Sequence, residues 1–157
     1  MSNPYDVDLQ LKMARNHIDL FRTVVGDKFL DYFDQVKSKT MLSIERLYDL
    51  YLSSQYVDKA AIPGIVVEVG TWQGGALGMA ILSSPSSERK ILGFDTYSGH
   101  FRPAADEFDV RGRSMRDRYD VATESGESWA GADLDECRDF LLSLRTPPPE
   151  SFSLRVM

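Results

Sequence analysis

The sequence predicts an α/β fold, a parallel sheet preceded by N-terminal helices. Three observations carry this prediction. A β-branched run at residues 65–69 leads through Gly70, Gly74 and Gly75 into an apolar stretch ending near Leu82. A second apolar run, "KILGF" at residues 90–94, follows and ends on Asp95. The first 60 residues carry helical periodicity and no strand pattern. Strand, helix and strand within about 30 residues is the signature of a βαβ unit.

Taken in order, residues 8–36 read as helical. Leu11, Ile18, Phe21 and Val25 recur at helical or seven-residue spacing. Gly26 is the expected stop, and a second short helix carries Phe29, Leu30, Phe33 and Val36. Ser43 suits an N-cap, with Glu45 favourable in the first turn. Ile44, Leu47, Tyr48 and Tyr51 form the stripe of a helix that reaches about residue 60 and stops before Pro63. Residues 65–69 are too apolar for a half-exposed strand and are expected to be central, covered on both faces. Residues 74–82 form the crossover helix, which Pro85 and its neighbouring serines end.

Beyond Asp95 the periodicity fades. Residues 97–131 are polar and Gly-rich and are expected to form a long loop, which in a compact domain is usually functional or mobile. Asp133 and Glu136 read as a capping box. The helix behind them carries Leu134, Phe140, Leu141 and Leu144, and Pro147, Pro148 and Pro149 end it. Residues 151–157 resemble the opening of a third strand. Two or three strands leave sheet faces and edges uncovered. The chain is therefore expected to be shortened on its C-terminal side. Residues 1–60 form a helical lid or oligomerisation segment, and residues 61–157 the N-terminal part of a nucleotide-binding α/β domain.

Composition narrows the function. The net charge is −6, from 24 acids against 18 bases, which argues against a nucleic-acid partner. Arg111, Arg113, Arg116 and Arg118 alternate with Asp117 and Asp120, so a self-paired, solvated face is expected there. One cysteine, Cys137, excludes an intramolecular disulfide framework, and two histidines cannot build a dense metal cluster. No apolar run approaches 18 residues and no secretory signal is visible, so a cytoplasmic protein without a membrane partner is expected.

The strand-end acids and glycines suggest a nucleotide-like ligand. A P-loop needs lysine after its second glycine, but Ala76 stands there. A dinucleotide turn wants glycine where Trp72 would crowd the pyrophosphate. S-adenosylmethionine has no phosphate and fits better. Asp95 at the second strand end suits ribose hydroxyls, as in dinucleotide folds. Glu68 could answer the ammonium of the amino-acid tail. Gly70 allows a sharp turn, and Gly74 and Gly75 a close approach at the helix start. A charge placed directly after buried apolar residues is costly unless it is paired or reaches a polar cleft.

The stretches "IPGIVVEVGTWQGGALGMAIL", "GFDTYSG" and "SIERLYDLYLSSQYV" together resemble the macrocin O-methyltransferase (TylF-like) family. The likeness covers residues 40–99 well and continues loosely through "GADLDECRDFL". It implies a Rossmann-like class I methyltransferase fold and S-adenosylmethionine-dependent methylation of a sugar hydroxyl on a glycosylated natural product. By the same resemblance, Glu68, Gly70, Thr71 and Trp72 lie along the methionine end of the cofactor. Asp95, Thr96 and Tyr97 lie near ribose and adenine, with Ser98 adjacent. The helix bearing Tyr48 and Tyr51 is either a lid-side segment or plain core.

Family members are typically oligomeric and use magnesium. Their metal aspartates and catalytic base follow the third strand, so neither role is assigned to a residue here. Asp106, Glu107 and Asp109 are crowded acids, read as a flexible acidic loop before a metal site. His100 departs from the expected apolar residue and reads as an exposed loop histidine before a substrate contact. Two other functions remain open: a nicotinamide-dependent oxidoreductase, and a non-catalytic oligomerisation module with a decayed site.

Overall fold

A computed structural model of the chain describes residues 19–84, 89–126, 128–144 and 152–157. Helical residues 19–24 lead into α1 (Asp27–Val36), a 3-10 turn (Lys37–Lys39) and α2 (Ile44–Lys59). Then come β1 (Val66–Val69), α3 (Gly75–Ser83), β2 (Ile91–Asp95), α4 (Met115–Ala122), α5 (Leu134–Ser143) and β3 (Phe152–Val156). The predicted break at Gly26 is present: Gly26 is extended and caps α1, with its carbonyl accepting from the Phe29 N–H at 3.0 Å. Ser43 is the N-cap residue of α2, although its side chain makes no cap bond. Leu11, Ile18, Pro85, Pro147, Pro148, Pro149 and Ser151 lie outside the described residues.

The three strands form a parallel sheet in the order β1-β2-β3, with Glu68 beside Gly93 and Asp95 beside Val156. Two apolar clusters hold the layers together. Leu77, Ile81, Ile91, Cys137 and Leu141 pack α3 and α5 onto one face of the sheet, with Val66, Phe152 and Leu154 around them. Val25, Phe29, Val36, Ile44, Leu47 and Met79 join α1 and α2 to the other side of α3. Phe140 touches both clusters. Phe29 is the hub of the second, its ring 4.9 Å from Tyr48 and 5.4 Å from Tyr51. Both tyrosines therefore pack within the helical layer.

Two expectations are corrected. Among the described residues β1 is an edge strand, covered on one face only. Val66 and Glu68 turn toward α3, while Val67 and Val69 are 50% and 70% exposed on the other face. The reason is that α3 and α5 both pack on the face that Val66 shares, so a run suited to two covered faces has one. Residues 97–131 are also not structureless, since they contain α4. Ser114 caps it, its hydroxyl accepting from the Asp117 N–H at 3.1 Å.

The predicted self-pairing of this segment is present in part: of Arg111, Arg113, Arg116 and Arg118, two form ion pairs among the described residues, and Arg116 donates to the Pro103 carbonyl instead. Arg113 and Arg118 meet Asp109, and Arg102 meets Asp120 through two bonds of 2.7 and 2.6 Å. The connector before β1 is pinned from the other side. Arg89 donates to Asp58 and to the carbonyls of Gly64 and Ile62.

Candidate functional site

The site is built where β1 and β2 end. Gly70 turns the chain off β1 at φ +87°, with open space where a side chain would begin. The N–H groups of Gly70 and Thr71 donate to the Phe94 carbonyl at 2.7 and 3.2 Å, which ties the turn to the neighbouring strand. Thr71 is 3% exposed and its hydroxyl donates to the same carbonyl. Trp72 then adopts a left-handed φ of +49°, and Tyr97 one of +57°. Such conformations are costly for large side chains and persist where the surroundings enforce them.

Asp95 is what enforces them. Its Oδ2 accepts from the Trp72 N–H at 2.7 Å and its Oδ1 from the Tyr97 N–H at 2.8 Å. One carboxylate thus ties the loop after β1 to the loop after β2. The Trp72 indole donates onward to the Gly131 carbonyl at 3.0 Å, anchoring the end of the 99–131 excursion. Each Asp95 oxygen keeps a further lone pair for a ligand.

Glu68 differs. Its Oε2 is buried without a hydrogen-bond partner. Burial, more than any neighbour, pushes its pKa up to about 7; the Leu77 backbone N–H in the first turn of α3 opposes this and the Asp95 charge adds to it. A carboxylate left this way is costly unless a ligand completes it.

Two adjoining cavities, the two lobes of one candidate crevice, lie beside these acids. The larger, about 450 Å³, is lined by Asp95, Thr96, His100 and Phe101 among others, and the smaller, about 150 Å³, by Glu68, Thr71 and residues 39–42. Met41, Gly70 and Trp72 line both. The larger lobe alone falls within the roughly 300–1,000 Å³ of small-molecule sites.

Of the residues singled out by sequence, Glu68, Gly70, Thr71, Trp72, Asp95 and Thr96 come together on this crevice. Three sit elsewhere. The Tyr97 ring packs into the core beside α5, where burial and then the Cys137 thiol push its phenol upward. Ser98 is exposed and lines neither lobe. Gly75 serves packing instead. A Cβ there would lie 2.5 Å from the Lys39 carbonyl oxygen, so glycine lets the 3-10 turn seat against α3.

His100 lines the larger lobe, its ring 5.6 Å from that of Trp129. Asp109 is engaged by arginine, and Glu107 Oε1 accepts from the Ala104 N–H. Sequence reasoning missed residues 39–42, Phe101, Ala130 and Met157, which reach the crevice from distant segments.

Comparison with known proteins bears on the fold and the family. A solved structure described as the O-methyltransferase NovP superposes with a TM-score of 0.50 at 22% identity, over 74% of this chain and 46% of that one. That likeness supports the Rossmann-like α/β fold, and this chain spans about half the length of that neighbour. No curated protein matches the sequence. The family described as macrocin-O-methyltransferase (TylF) matches residues 10–128, so the chain belongs to that family.

Proposed function

We propose that this chain carries the donor-binding half of an S-adenosylmethionine-dependent O-methyltransferase, whose acceptor is a sugar hydroxyl of a glycosylated natural product. One observation carries the reading. Two acids at adjacent strand ends open onto one two-lobed crevice, and the deeper acid lacks a partner. The residues fit the donor: Glu68 Oε2 is an orphaned acceptor suited to an ammonium, and the open space at Gly70 admits a close approach. In this reading Glu68, Gly70, Thr71 and Trp72 hold the amino-acid end, and Asp95 and Thr96 the ribose and adenine end.

When bound, S-adenosylmethionine supplies an electrophilic methyl group on a sulfonium. The chain's own contribution is positioning. Asp95 fixes both loops before the ligand arrives, so their ordering need not be met on binding. Trp72 and Met41, shared by the two lobes, shield the junction from water. An alcohol acceptor also needs its proton removed. No residue is assigned that step, nor a magnesium site. Among the described residues no three His, Cys, Asp or Glu side chains are grouped to hold a metal ion.

The uncovered sheet face and edges fit a homo-oligomer or a longer chain. Among the described residues no helix is long and apolar enough to cross a membrane. Parallel titrations with S-adenosylhomocysteine and NAD test the reading. Binding of S-adenosylhomocysteine alone supports it, and binding of NAD alone overturns it.

A further inference from the structure

The smaller lobe holds a second charge that the donor-binding reading does not use. Lys39 lines it together with Glu68 and is the one cationic side chain among the described residues of its wall. The side chain is half-buried and forms no ion pair among the described residues. Its charge reaches the same region as the carboxylate: the Cys137 thiol, pushed up to about 11 mainly by burial, is raised further by the Glu68 charge and lowered by that of Lys39. The other polar groups are partly committed. The Thr71 hydroxyl donates to the Phe94 carbonyl, and the Thr40 oxygen accepts from the Leu42 N–H at 3.1 Å.

The segment that carries Lys39 is held down by contact. The Lys39 carbonyl and Thr40 press on Gly75, where any Cβ would come within 2.5 and 2.7 Å of them. Met41 reaches across both lobes from the same segment. A lobe of about 150 Å³ with one buried, unpartnered carboxylate oxygen and one unpaired cation is matched in charge to a zwitterion. An ammonium alone would leave Lys39 unanswered, and a carboxylate alone would meet Glu68 with like charge.

We infer that Lys39 and Glu68 form a two-charge clamp for an α-amino-acid tail. Lys39 binds the tail carboxylate, Glu68 the tail ammonium, and residues 39–42 are the strap that closes this end of the crevice. The inference rests on the donor-binding reading and assigns the carboxylate half of the donor to a residue that the sequence did not single out. Gly75 is the seat that holds the strap in place.

Calorimetric titration of the full chain with two ligands tests the clamp. S-adenosylhomocysteine carries both tail charges, and decarboxylated S-adenosylmethionine keeps the ammonium and lacks the carboxylate. Lys39→Met is expected to weaken S-adenosylhomocysteine about 10-fold or more, the loss of a charge-assisted bond, and to leave the decarboxylated ligand unchanged. Lys39→Arg should restore most of the loss. Equal affinity of wild type and Lys39→Met for S-adenosylhomocysteine overturns the clamp while leaving the donor-binding reading standing. An equal loss for both ligands overturns it too, because that is the mark of a general structural role. Failure of the wild type to bind either ligand overturns the donor-binding reading and the clamp with it.

Discussion

The two acids at the strand ends are chemically alike and structurally opposite. Asp95 has each oxygen occupied by a backbone N–H, from Trp72 and from Tyr97. Glu68, on the adjacent strand, has a buried oxygen with no partner and a pKa pushed up to about 7 by burial. The first builds the frame: it holds two strained loops in register and keeps one lone pair on each oxygen for the ligand. The second belongs to the ligand: its cost is met only when something positive enters the lobe. Strand-end position therefore locates a site, while the hydrogen-bond inventory separates the residues that build it from the one that waits.

The largest effect should come from removing the frame. Asp95→Ala strips two charge-assisted bonds and leaves two N–H groups unmatched, so it should lower stability by about 3 kcal/mol or more in urea unfolding. Asp95→Asn should recover only part, because its amide can accept from one of the two donors and confronts the other with an N–H. A loss below about 1 kcal/mol for Asp95→Ala would erase the distinction from Glu68.

Glu68 should behave in the opposite sense. Its folded pKa is raised from the ordinary glutamate value of 4.5 to about 7. The folded state thus holds a proton that the unfolded state has lost, so stability falls as pH rises from about 4.5 to about 7 and is flat beyond. The total is roughly 3 kcal/mol at most. Glu68→Gln should remove that slope and leave the variant more stable than wild type at pH 8, while weakening S-adenosylhomocysteine. Thermal melts across this pH range would show it; a wild-type slope unchanged in the variant would assign the titration to another group.

A smaller effect belongs to the link between the frame and the 99–131 excursion. Trp72→Phe keeps an aromatic ring but loses the indole bond to Gly131, worth about 1 kcal/mol. Its expected signature is faster amide exchange in the 99–131 segment with little change around Phe29.

Much of this was legible in the sequence, for identifiable reasons. Residues 65–95 announced strand, glycine turn, helix and strand because each element carries its own local signal. Asp133 announced a helix cap, which its Oδ1 forms with the N–H groups of Asp135 and Glu136. α4 was missed because Met115–Ala122 is polar and short; its one signal is Ser114 followed by Asp117 at the third helical position. The covering of β1 was misjudged because Val67 and Val69 satisfy the pattern of a buried strand whatever lies over them. Glu68 and Asp95 were found by position, but their difference depends on partners distant in sequence, such as Trp72, 23 residues from Asp95. Lys39 and Met41 gave no motif, because the fold alone brings residues between α1 and α2 onto the β1 turn.

The central claim is that Glu68 is the acid that receives the ligand ammonium. Titration of the full chain with S-adenosylhomocysteine at pH 6, 7 and 8 tests it most directly. If the ligand ammonium needs the ionised carboxylate, apparent affinity scales with the ionised fraction. For a pKa of about 7, affinity should then be about 10-fold weaker at pH 6 than at pH 8. Binding should release a proton near pH 7, and Glu68→Gln should abolish both effects. A pH-independent affinity in the wild type, or the same pH dependence in Glu68→Gln, would contradict the account.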